Sequence, residues 1–214
     1  MTMTDPFAGT LHTEDELREI IPWPGPRAAA KEVNHLDHNC REFIARAPFV
    51  LVGTTNTDGT GDVSPKGGPP GFARVLDDHR LAFGELPGNG RADGYRNLLG
   101  NPAIGLIFLI PGIGETLRVN GQGYVINDPE LLDQCAVDGK RPKVVLGVQV
   151  HEAFIHCAKA LRRAQLWQPE GWPDTTGMPT VACMLVDHVG IEGDPGGHRT
   201  AAALEDAYAK TLWN

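Results

Sequence analysis

Apolar residues recur at helical spacing up to about residue 47, and from Pro48 onward they alternate or run together as strands do. In the first stretch Leu17, Ile20 and Ile21 follow Thr13-Glu14-Asp15-Glu16, a capping box in which Thr13 is the N-cap and Glu16 reaches back to it. Pro22-Trp23-Pro24-Gly25-Pro26 ends that helix in a stiff connector, and residues 28–33 can restart one. Asp37 is placed to cap a third helix, with Cys40, Phe43 and Ile44 on one face. Residues 1–47 are therefore expected to be a helical extension packed on a domain spanning 48–214.

Beyond Pro48, residues 49–55 form a Val/Leu/Thr-rich strand, and Asp58-Gly59 turns it into a second short strand at 62–64. Residues 72–76 and 80–84 flank a second hairpin turn at Asp77-Asp78. Residues 89–101 read as a helix with Leu98 and Leu99 inward, stopped by Asn101-Pro102. The apolar run 103–110 predicts a strand buried on both faces, and 115–126 a long strand in which Gly121 and Gly123 signal a bulge or bend. Asp128-Pro129 opens a helix, 143–155 is another long strand, and 158 onward is short helical or irregular. Residues 168–199 read mainly as loop, with apolar runs only at 180–186 and 188–191, before a closing helix over 201–213. Six or seven strands, mostly hairpin-connected, with helices at the margins, predict a mainly β (α+β) antiparallel barrel.

Composition narrows the partners. At 214 residues the chain holds one sizeable domain, and its net charge of −8 disfavours a nucleic-acid reader, which carries a basic face. No segment reaches the ~20 uninterrupted apolar residues of a membrane span. The start, MTMTDPFAGTLHTEDE, lacks the basic and apolar regions of a signal peptide. Cys40, Cys135, Cys157 and Cys183 form no CxxC pair, so reduced thiols and a cytoplasmic location are expected.

Against this acidic background a few cations stand beside strand and helix breaks, a pattern suited to one small anion. Ser64-Pro65-Lys66-Gly67-Gly68 offers a hydroxyl, a point charge and open backbone; a solvated polar loop is the other reading. Gly88-Asn89-Gly90-Arg91 sits at the start of the 89–101 helix, where free amides and the dipole favour an anion and an arginine does not help the helix itself. Thr116 and Arg118 project to one face of their strand, which is either wet or at an interface. Lys159 and Arg162, three apart, can share a helical face after His156-Cys157, with Trp167 available to cover an aromatic edge.

The order and wording of these segments over 48–167 and the closing helix resemble the pyridoxamine 5′-phosphate oxidase-like family of FMN-binding split barrels. The resemblance implies that Ser64, Pro65 and Lys66 touch the flavin ring and ribityl chain. It implies that Arg91 clamps the phosphate beside Asn89, which stands in an NGR sequence where most relatives have NNR. It also places the backbone of Phe83 and Gly84 along the ribityl and phosphate. Thr116 and Arg118 would lie in a homodimer seam, facing the flavin held by the partner. His156-Cys157-Ala158-Lys159-Ala160-Leu161-Arg162-Arg163 is similar to a segment of one subgroup, and C-terminal Trp and Arg residues of better-known relatives contact FMN and substrate; this role passes only loosely to Lys159, Arg162 and Trp167. The implied function is an FMN-dependent oxidoreductase moving hydride between a small molecule and flavin N5. A flavin carrier or sensor without turnover, or a barrel for haem or a deazaflavin, are the alternatives; His151 or His156 would be the axial candidates for haem. The Arg-rich second strand and C-terminal Arg-x-His segment of the oxidase itself are not found, and no side chain stands out as a general acid or base.

Other motifs carry less. His35-Leu36-Asp37-His38 spends Asp37 on a helix cap and shows no fourth ligand, so no metal is expected. His151 and His156 are five apart in a strand and face opposite sides, unlike HExxH. Gly112-Ile113-Gly114-Glu115 is a hairpin turn lacking a phosphate-loop lysine.

Overall fold

The computed structural model describes residues 5–212. Contacts divide the chain into two compact units at Glu32/Val33. In the first, α1 (Glu14–Ile20) starts at the expected capping box: the Glu16 amide donates to Thr13 Oγ1 at 3.2 Å and the Thr13 amide to Glu16 Oε2 at 3.0 Å. After the proline connector comes the single turn α2 (Pro26–Ala29), and neither helix buries a residue. The Arg18 guanidinium lies 4.3 Å from the Trp23 ring, a cation–π contact within this unit.

The second unit opens with Val33, bridged to Ala153, and α3 (His38–Arg46). Asp37 caps α3 by accepting from the Cys40 amide at 2.8 Å, and Cys40 and Ile44 are buried in the main core. That amide bond holds the Asp37 carboxyl below its usual range. A depressed pKa contributes stability above the unfolded value near 3.9, and this is lost as pH falls through the folded value. Asp37→Ala is expected to cost about 1 kcal/mol in urea unfolding at pH 7. The cost should shrink toward zero at a pH low enough to protonate the native carboxyl.

Seven antiparallel strands follow: β1 (Phe49–Thr55), β2 (Gly61–Gly67), β3 (Arg74–Val75), β4 (Arg80–Gly84), β5 (Ala103–Leu109), β6 (Thr116–Ile126) and β7 (Val145–His156). Their order in the sheet is β2-β1-β5-β6-β7-β4-β3. This is the mainly β, helix-flanked antiparallel class expected. The inner face packs Val50, Val52, Leu81, Phe83, Leu106, Phe108, Leu117 and Val119 into one core that also takes Leu36 and Ile44. A smaller cluster behind β4 and β7 joins Ala82 and Val145 to Leu132 and Cys135 of the segment around α5 (Pro129–Gln134). Burial pushes both the Cys40 and Cys135 thiols up, Cys40 to about 11, as expected of packed rather than reactive thiols.

The bulge is where the glycines signalled it. β6 and β7 shift register between Asn120 and Gly121, which pair with Glu152 and Val150 and leave His151 as the extra residue.

Three expectations change. In α4 (Asp93–Gly100) Leu98 is buried but Leu99 is 78% exposed, because only a narrow seam of this helix meets the sheet. β5 is buried on one face and half-buried on the other, its outer side being left partly open by the described residues. Residues 168–199 contain a helix, α7 (Val181–Val189), capped by Thr180 and packed on α8 (His198–Thr211) after the short α6 (Lys159–Arg163). In the loop between α7 and α8, buried Asp194 fastens to the first turn of α8 by accepting from the Thr200 hydroxyl and amide and the Arg199 amide. The expected end of the closing helix at Trp213 lies outside the described residues. Among the described residues, no helix is long and apolar enough to cross a membrane.

Candidate functional site

β2 sets the first part of the site by simple alternation. Its pairing with β1 places Ser64 opposite Val52 and Lys66 opposite Val50, on the inner side, while Val63 and Pro65 face outward. α4 crosses β1 and β2 on that inner side. Gly94 lies at the crossing, where a Cβ would make only ordinary contact, 3.5 Å from Thr54 Oγ1 and 4.0 Å from Ser64 Oγ. The Asn97 amide donates to Thr54 Oγ1 at 3.0 Å.

At one end of this seam Lys66 Nζ lies 2.6 Å from Glu85 Oε2, and the Tyr95 phenol donates to the same oxygen. Lys66 also lies 5.0 Å from the Tyr95 ring centroid. The side chains of Lys66 and Glu85 are only 21% and 29% exposed, so this pair is better shielded than most ion pairs of the chain. Burial first, and then the Glu85 carboxylate, push the Tyr95 phenol well above its ordinary pKa, so it stays protonated.

At the other end is the head of α4. The helix begins at Asp93, so Arg91 sits in the turn before it, with Ala92 in the left-handed region at φ 53°. Asn89 Oδ1 accepts from the Arg91 amide at 3.1 Å, and Arg91 Nε lies 2.6 Å from Asp93 Oδ2. Arg96 reaches the other oxygen of Asp93 at 3.7 Å. Arg91, Asp93 and Arg96, with Asn56, Asp62 and Asn97, bound an open surface cleft of about 450 Å³.

The outer face of the sheet carries the second polar group. Arg118 is flanked on β6 by Asn120 and across the ladder by Phe154 and Glu152. Its Nε donates to Asn120 Oδ1 at 3.3 Å, and Asn120 donates to Glu152 Oε1 at 2.7 Å. The guanidinium lies 3.8 Å from Glu152 and 5.0 Å from the Phe154 ring centroid. Beside it Gly53 and Gly105 oppose each other, leaving a flat strip without side chains.

The chain does not gather all twelve sequence-predicted residues into one cavity. Ser64, Lys66 and Arg91 line the β2–α4 seam or its mouth, and Asn89 stays outside it, bonded to the Arg91 amide; Pro65, Thr116 and Arg118 lie on the opposite face, with Thr116 buried there. Phe83 is fully buried and packs edge-on against Phe72, with centroids 5.8 Å apart. Gly84 has a packing role, since a Cβ there would lie 2.7 Å from Pro142. Lys159 and Arg162 belong to α6, and Trp167 donates to the Ile113 carbonyl at 2.8 Å. Strand alternation is the reason for the split: Lys66 and Arg118 occupy inward and outward positions of one continuous sheet. Sequence reasoning missed Glu85, Asp93 and Glu152, the carboxylates that hold these cations. Their only local signal was an acid near a cation, which many surface pairs share.

No curated protein matches the chain. Among solved structures it is similar to HupZ of Group A Streptococcus, at 18% identity over 56% of this chain and 92% of that one, with a TM-score of 0.44. A Clostridium acetobutylicum protein related to general stress protein 26, of the pyridoxinephosphate oxidase family, aligns at 15% identity over 56% and 86%, TM-score 0.44. An FMN-binding protein from Syntrophomonas wolfei aligns at 14% over 54% and 86%, TM-score 0.40. The family model for pyridoxamine 5′-phosphate oxidase matches residues 36–157, from the turn before α3 to the end of β7, so that the sheet, the α4 seam and the Arg118 face all fall within it. The chain belongs to the pyridoxamine 5′-phosphate oxidase family.

Proposed function

We propose that this protein is an FMN-dependent oxidoreductase that works as a homodimer on a small organic substrate. The observation that carries the reading is the cleft at the head of α4, where Arg91 and Arg96 converge inside the family-matched region. The donor set fits a phosphate. A guanidinium has five donors, and the bond to Asp93 uses one edge of Arg91, whose side chain is 73% exposed. Asn97 and Ser64 supply neutral donors further along the seam.

The outer face supports a second copy. Val63 and Phe49 are exposed there, and Leu51, Ile107 and Leu109 are half-buried, an apolar surface around the flat Gly53–Gly105 strip. A partner seated on it would exclude water from Arg118 and bring that cation toward a ring held in the partner's seam. Bound FMN would supply hydride transfer at N5. The residues of this chain would hold the phosphate, orient the ring and place a positive charge where the ring system gains electron density.

Absorption spectroscopy tests the reading directly. Freshly purified protein, or protein titrated with FMN, should show the flavin bands with one flavin per chain, and sedimentation should give twice the chain mass. A colourless protein that takes up no FMN would overturn the cofactor assignment. A Soret band or a deazaflavin spectrum would replace it, and bound FMN that NAD(P)H never reduces would favour a carrier over an enzyme.

A further inference from the structure

We propose that Glu85 is a positioning residue that clasps the anion loop, and that Lys66 acts through Glu85 rather than on the ligand; this rests on the reading that the α4 head takes the FMN phosphate. Glu85 is the first residue after β4, and its amide donates to the Val144 carbonyl at 2.9 Å. Tyr95 lies in the first turn of α4, ten residues on. One oxygen, Glu85 Oε2, receives both the Tyr95 hydroxyl and the Lys66 ammonium. The carboxylate thus closes the segment 85–95 on itself, and Lys66 fastens that closure to β2.

The enclosed segment needs such a clasp. It contains Pro87, Gly88 and Gly90, with Gly90 at φ 72°, and the side-chain bonds of Asn89 and Arg91 run to Arg91 and Asp93 within the segment itself. A loop of this composition samples many conformations when open, and each one lost on binding weakens affinity. Held closed, it presents Arg91 and the backbone before the ligand arrives.

Lys66 is poorly placed to serve as an anion ligand as well. Its ion pair with Glu85 is formally neutral, and moving the ammonium to a phosphate would leave a part-buried carboxylate without its cation, a costly exchange. The phenol adds a second bond to the same carboxylate oxygen.

Electrostatics alone and the clasp predict opposite signs. If Glu85 merely masks Lys66, its removal frees a cation and tightens an anionic ligand. If it clasps the loop, its removal loosens that ligand. The experiment uses the full chain and its E85A, K66M and Y95F variants. Dissociation constants are measured for FMN and for riboflavin, and hydrogen exchange at residues 86–92 is followed in the ligand-free protein. E85A should weaken FMN about tenfold, the size of one charge-assisted bond, with a smaller effect on riboflavin. Exchange at 86–92 should accelerate in both E85A and K66M. The K66M/E85A double variant should be no worse than E85A alone, since both act through one contact. Y95F, which removes only the hydroxyl, should accelerate exchange to a lesser degree and guards against a fold defect in the others. Tighter FMN binding by E85A, unchanged exchange at 86–92, or additive losses in the double variant would each overturn the clasp. A wild-type protein that binds no FMN would refute the cofactor reading alone, while the exchange data would still judge the clasp.

Discussion

Gly121→Ala should destabilise the protein by ~3 kcal/mol or more, the upper end of the range for overpacking, because the site cannot relax. A Cβ on Gly121 would lie 1.9 Å from the Gln149 carbonyl oxygen and 2.9 Å from its carbon, and both are backbone atoms of the paired strand. No rotamer can relieve that clash; only separation of β6 from β7 can, and these two strands sit at the centre of the sheet. The bulge also decides which side chains face the site. With His151 as the extra residue, Val148 and Val150 turn into the core while Glu152 and Phe154 turn outward beside Arg118. Urea unfolding followed by tryptophan fluorescence would measure the loss. Gly61→Ala is the matched control, because its Cβ would meet nothing within 4 Å, and its midpoint should stay close to wild type. A Gly121→Ala midpoint indistinguishable from that control would mean that the two strands do not approach as described.

Features fixed by a few neighbouring residues were legible in the sequence. The Thr13–Glu16 capping box, the Asp37 cap, the Asp128-Pro129 helix start and the bulge at Gly121 each depend on local stereochemistry. The misread elements depend on what lies opposite. Leu99 differs from Leu98 only in which way α4 turns toward Ile104 and Gly123, and β5 has one buried face because the described residues leave the other partly open. α7 was hidden by the Gly- and Pro-rich residues around it, although Thr180 before an apolar run is itself an N-cap signal. The cations of the candidate site were visible as isolated charges, whereas their partners were not. Lys66 meets Glu85 across 19 positions and Asn120 meets Glu152 across 32, and such pairs are set by strand register and helix docking. Hence a list of cations suggested one anion site, and the folded chain sorts them onto two faces.

Arg91→Ala should weaken FMN binding by roughly 10- to 100-fold, the range for losing one charge-assisted contact to a phosphate. The sorting onto two faces makes this residue decisive. Lys66 is already engaged by Glu85 and Tyr95, and Arg118 belongs to the outer face with Asn120 and Glu152. At the mouth of the seam the charges are those of Arg91, Arg96, Asp62 and Asp93. Removing Arg91 leaves Asp93 facing the same cleft with Arg96 at 3.7 Å, so the local balance turns from neutral to negative at the proposed position of the phosphate. The loss should therefore be larger for FMN than for riboflavin, which lacks the phosphate, and it should diminish as salt screens the exposed charges. Arg91→Lys should recover only part of the affinity, because a point charge cannot offer the planar set of donors of a guanidinium. Fluorescence titration of the four protein–ligand pairs, FMN and riboflavin with wild type and Arg91→Ala, separates phosphate recognition from ring binding. Equal losses for the two ligands would place the phosphate elsewhere on the molecule.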